Sequence, residues 1–135
     1  MQTWLKGINV VTLFVEDLAR AKTFYQGVFD LAPSFENEDS AVFKFPNMMI
    51  NLLETPSAPE LVAPARVASP EAGARSVLTV FVDDVDTVCA ELARRGITPI
   101  NGPVNRWWGM RTATFADPAG HLWELGQDLD PAPQA

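Results

Sequence analysis

Val10-Val11-Thr12-Leu13-Phe14-Val15-Glu16-Asp17-Leu18 reappears as Val77-Leu78-Thr79-Val80-Phe81-Val82-Asp83-Asp84-Val85, 67 residues further along a chain of 135. Five of the nine positions are identical and the other four keep size and polarity. An internal repeat at half the chain length means two copies of one structural unit. Val, Thr and Phe crowded into a short run read as a strand, and apolar residues on both parities mean that both of its faces are covered. Asp17 and Asp84 then open a helix in each copy, because a carboxylate accepts bonds from first-turn amides and suits the positive end of the helix dipole.

Outward from these strands, Leu18, Ala21, Tyr25 and Val28 form one helical stripe flanked by Phe24 and Phe29, and Val85, Val88, Cys89 and Leu92 form the other. Arg94 and Arg95 suit the negative end of the second helix, and Gly96 is its stop signal. Cys89 is expected to be a buried packing residue. A second correspondence closes each half. Phe43 matches Phe115, Pro46 matches Pro118 and, with one extra turn residue, Asn51 matches Glu124. Asp117-Pro118-Ala119-Gly120 has the composition of a tight turn. Each half therefore reads as strand, helix, then about three strands, an α+β chain with module one over 7–54 and module two over 76–127. Between them, Pro56, Pro59, Pro64 and Pro70 deny 55–75 a continuous helix or central strand, so that stretch reads as a linker or flap. A frayed tail is expected over 128–135.

Composition bounds the function. The chain is 47% hydrophobic and 20% charged, the profile of a single globular domain with its own core. No apolar run is long enough for a membrane helix, and the first residues lack the pattern of an export signal, so a cytoplasmic location is expected. A single cysteine excludes an internal disulfide and a multi-thiolate zinc site. Seventeen acidic against ten basic residues give a net charge of −7, which opposes nucleic-acid binding and leaves neutral or cationic small molecules as partners.

Two such βαβββ halves resemble the vicinal oxygen chelate superfamily of glyoxalase I, extradiol dioxygenases, fosfomycin resistance enzymes and bleomycin resistance proteins. The resemblance runs from about Gly7 to Leu125, through the paired strand-helix starts, Phe24-Tyr25 and the closing Phe115-Ala116-Asp117-Pro118-Ala119-Gly120-His121-Leu122-Trp123-Glu124-Leu125. It implies a cupped, barrel-like mixed sheet with the helices outside, and a divalent metal held at the positions equivalent to Val10, Asn51, Val77 and Glu124. Valine supplies no ligand, so no metal and no cofactor is expected. The only histidine, His121, stands three residues from Glu124 and so points to the opposite face of a strand; it reads as a hairpin residue on the surface or packed at an edge.

If Val10, Val77 and Glu124 face the cup as the family's ligands do, strand alternation adds Thr12, Phe14, Met49, Asn51, Leu53, Thr79, Phe81 and Leu122 to the same lining. Apolar walls with a few hydroxyl, amide and carboxylate groups suit a small molecule. Glu124 is the candidate catalytic base or counter-ion, with Asn51, Thr12 and Thr79 as partners. Trp107 and Trp108 cannot both enter one core from an extended chain, so at least one belongs at a rim or interface. Arg111, in a Trp-Gly-x-Arg run seen in drug-resistance-like members, is expected to anchor an anion, to pair with Glu124 or to make a surface ion pair. The resemblance is nearest to metal-free bleomycin-resistance-like members, which implies an antibiotic-like, aromatic or cationic ligand, a homodimer and a role of the antibiotic-resistance kind. The alternative is a lyase or dioxygenase with a rearranged metal site, or with Glu124 as general base.

Overall fold

The computed structural model describes residues 2–130. Its contacts divide the chain into two compact units, Met1–Ser69 and Pro70–Ala135. The last five residues of the expected tail, 131–135, lie outside the described residues, whereas Asp128 still belongs to a strand.

In the first unit, strand β1 (Val10–Val15) leads into helix α1 (Leu18–Phe29) and then β2 (Phe35–Glu36), β3 (Ser40–Lys44) and β4 (Met49–Glu54). The sheet order is β1-β4-β3-β2. β1 pairs parallel with β4, and the other ladders are antiparallel. A parallel pair needs a crossover, and α1 begins it. Asp17 caps the helix as its sequence position implies, accepting from the Arg20 amide at 3.0 Å.

The second unit repeats this order. β5 (Val77–Phe81), helix α3 (Val85–Arg94), β6 (Asn101–Asn105), β7 (Met110–Ala116) and β8 (Leu122–Asp128) give a sheet ordered β5-β8-β7-β6, again with one parallel pair, β5 with β8. Asp84 caps α3 by accepting from the Thr87 amide at 3.2 Å. At the other end Gly96, at φ 80°, turns the chain so that its amide donates to Ala93 and that of Ile97 to Leu92, a closure that satisfies two terminal carbonyls. The ladders thus make two four-stranded sheets, not one continuous barrel-like sheet. The α+β class and the tandem βαβββ order are as the sequence implies. Residues 55–75 hold only single turns of 3-10 helix and the four-residue helix α2 (Pro59–Val62), as its prolines dictate.

Alternation places each core. Ala41, Phe43, Ile50 and Leu52 lie buried with Leu18, Ala21 and Tyr25 of α1, and the Tyr25 and Phe43 rings stand 6.0 Å apart. Ala113, Phe115, Trp123 and Leu125 are buried in the second unit with Val85 and Leu92 of α3. Phe43 and Phe115, matched in the two sequence halves, thus occupy equivalent interior positions. Cys89 is only half-buried, a departure from its expected interior place; burial, reinforced by nearby Asp86, raises its thiol pKa.

Candidate functional site

With one face of each sheet under a helix, the opposite parity forms the other face. In the second unit this face is built in rows across the strands. Thr79, Glu124 and Thr114 form one row, since Glu124 is the ladder partner of both threonines. Thr79 Oγ1 donates to Glu124 Oε1 at 2.9 Å. Among the described residues the second carboxylate oxygen has no hydrogen-bond partner within the chain, so the side chain is fixed by one neutral donor. Thr79 was expected beside Glu124; Thr114 was not, although its own alternation from the buried Phe115 places it there.

Phe81, Gly126 and Thr112 form the next row. A Cβ on Gly126 would lie 3.1 Å from Met110 Cε and 3.4 Å from Phe81 Cδ1, so a glycine lets these two side chains close over the sheet. They wall a cleft of about 350 Å³, completed by Val82, Asp83 and Asp128. The Phe81 ring is 80% exposed. The cleft thus combines an aromatic ring, a thioether and two carboxylates, and none of its lining residues is cationic. Of these residues only Phe81 is among the sequence candidates. Leu122 follows Glu124 on the same face toward the start of β8 and is half-buried.

The tryptophans sit at the tip of the β6–β7 hairpin, both outside the core. Trp107 is 92% and Trp108 51% exposed, with their rings edge to face at 5.4 Å. Arg111 follows the third of its expected courses and pairs with Asp86 of α3, through two contacts of 3.0 Å, not with Glu124. Its parity explains this: Arg111 alternates with Thr112 and shares the helix face with Ala113 and Phe115. That bond to Asp86 is the main reason its pKa is raised. The arginine on the open face is instead Arg106, absent from the sequence candidates. Its amide bonds Met110 across the turn at 2.6 Å, which sets it opposite a residue of the Thr112 parity.

In the first unit, Thr12 and Asn51 are ladder partners, as Thr79 and Glu124 are in the second. Asn51 Nδ2 lies 3.4 Å from Thr12 Oγ1, and Asn51 Oδ1 is buried without a partner among the described residues. Phe14 and Met49 are half-buried on the same face, while Leu53 is buried at its end. Asp117 is also buried, but it is spent on its own turn: Oδ1 accepts from the amides of Ala119 and His121 at 2.9 and 2.8 Å. His121 is half-buried at the end of that turn, ahead of β8.

Two of the four positions where the resemblance would put metal ligands, Val10 and Val77, have no donor atom. Asn51 and Glu124 could supply at most two of the ligands that a divalent ion needs. Among the described residues no group of three or more His, Cys, Asp and Glu side chains is placed to hold a metal.

This geometry has relatives. Residues 7–125 match the model of the Glyoxalase/Bleomycin resistance protein/Dioxygenase superfamily, and the chain belongs to that superfamily. It is 31% identical over 119 residues to the uncharacterized protein YraH of Bacillus subtilis, covering 85% of this chain and 93% of that one. A glyoxalase/bleomycin resistance protein/dioxygenase from Nocardioides superimposes with a TM-score of 0.84 at 23% identity, over 99% of this chain and 91% of that chain. Lactoylglutathione lyase from Agrobacterium tumefaciens does so with a TM-score of 0.72 at 23% identity, over 90% and 93% of the two chains. At such identities the structures establish a shared fold, and one fold carries several chemistries.

Proposed function

We propose that this chain is a small-molecule binding protein of its superfamily that takes an apolar or aromatic organic cation on the open face of the β5–β8 sheet, with no metal intermediary. The observation that carries this reading is the Glu124 carboxylate, tethered by Thr79 at 2.9 Å and standing one row from the cleft of Phe81, Met110 and Gly126. A fixed carboxylate beside apolar walls recognises an ammonium group by charge and its organic body by burial. Asp83 and Asp128 add negative charge at the same cleft, and the aromatic face of Phe81 is itself attractive to a cation. The chain's net charge of −7 draws such a ligand in.

Calorimetric titration with 1-naphthylmethylammonium tests the reading. Saturable binding is expected, weakened about tenfold or more in Glu124→Gln, as befits loss of one charged hydrogen bond. Equal affinity in the variant would refute it. A pair of identical subunits belongs to the same proposal.

A further inference from the structure

Arg106 has a fixed place and no fixed counter-charge. Its Nε donates to Thr112 Oγ1 at 2.9 Å and its Nη2 to Asn101 Oδ1 at 2.7 Å, both neutral acceptors. Its guanidinium carbon lies 5.9 Å from the centre of the Trp108 ring. Arg94 and Arg111 in the same unit spend their charge on Glu91 and Asp86, whereas no carboxylate among the described residues lies in ion-pair reach of Arg106. A guanidinium presents two flat edges that match the two oxygens of a carboxylate. Thr112 takes Nε and Asn101 takes one hydrogen of Nη2. Both hydrogens of Nη1 and the second of Nη2 have no partner among the described residues.

Position makes this more than a hairpin clamp. Thr112 is the ladder partner of Gly126, in the row next to Thr79, Glu124 and Thr114. Arg106 is therefore bonded to the strand beside β8, on the face that carries Glu124, and Thr112 lies between it and the Gly126 floor of the cleft. Three groups immobilise the side chain before any ligand arrives, which reduces the entropy lost on binding.

We infer that Arg106 is an oxyanion anchor, binding a carboxylate or similar planar anionic group of the ligand through its Nη1–Nη2 edge. This rests on the reading that the ligand lies on the open β5–β8 face, and it narrows the ligand to an apolar or aromatic molecule that carries an acidic group as well as a basic one. Trp108 backs the guanidinium and offers its exposed half to the ligand's ring.

Titrations with 1-naphthoate and with 1-naphthylmethylammonium, each against wild type, Arg106→Gln and Arg106→Lys, test the inference. Wild type is expected to bind 1-naphthoate saturably. Arg106→Gln should weaken that binding at least tenfold and Arg106→Lys should restore only part of it, because an ammonium keeps the charge but not the fork; neither change should weaken the ammonium probe. Thermal unfolding of both variants checks that they fold. Should the hairpin fail in Arg106→Gln, Thr112→Val, which removes one tether and keeps the charge, is expected to weaken 1-naphthoate severalfold. Binding of the ammonium with none of the carboxylate, or carboxylate affinity unchanged in folded Arg106→Gln, overturns the anchor and leaves the proposed function standing. Failure of both probes overturns both.

Discussion

Thr79 and Glu124 face each other across the parallel β5–β8 pair, hydroxyl to carboxylate at 2.9 Å, at the positions that Thr12 and Asn51 occupy in the first unit. The bond orients the carboxylate and engages only one of its oxygens. Thr79→Val removes the donor while keeping the side-chain shape. Its effect should fall on binding of 1-naphthylmethylammonium, severalfold, with thermal stability nearly unchanged because Thr79 is exposed. A large drop in melting temperature with unchanged affinity would make the pair a structural contact.

Asp84 links the acidity of the medium to α3. Backbone and side-chain hydrogen bonds from Thr87 hold its carboxyl below the ordinary value of 3.8. A depressed carboxyl stabilises the fold above its unfolded pKa, and that contribution fades as pH falls through the folded value. Asp84→Asn keeps a capping oxygen but cannot titrate. Melting temperatures of the variant and wild type should therefore converge as pH is lowered below about 4 and separate above it. A difference independent of pH would contradict the cap's ionic part.

Gly102 tests the β6–β7 pairing that carries Arg106. It has φ 80°, and an added Cβ would collide with the carbonyl oxygen of Thr112. Gly102→Ala should cost at least ~2 kcal/mol, from strain at positive φ and a clash with main chain that has no easy retreat. Urea unfolding measures it. A cost below half of that would mean that the ladder shifts freely there.

Pairing of two copies is checked by light scattering at micromolar concentration. A mass near twice 14.8 kDa is expected. A single-chain mass would withdraw that part of the proposal.

Much of the fold was legible because the repeat and the alternation are local signals. Val77–Phe81 declares itself by matching Val10–Val15, Asp17 and Asp84 mark their helices, and Phe43 and Phe115 identify equivalent strands. Alternation, started from the positions where the resemblance puts ligands, joined Thr79 to Glu124 and put Phe81 on their face. What it could not fix was the β6–β7 hairpin. The register shift between Asn101 and Val104 and the Trp107-Trp108-Gly109 turn decide which arginine reaches which face. Arg111 therefore stood out in sequence while Arg106 did not. Met110 and Asp128 are a ladder pair on the alternation of Thr112 and Gly126, hidden because the sequence does not mark where β7 begins or β8 ends, and Asp83 lies past the end of β5.

Metal-independent recognition is tested most directly by titrating 1-naphthylmethylammonium into the protein in the presence of a chelator and again with an added divalent ion, alongside elemental analysis of the same sample. The two titrations should give the same affinity, with no stoichiometric metal in the protein. Binding that vanishes with the chelator and returns with the ion would contradict direct recognition by Glu124.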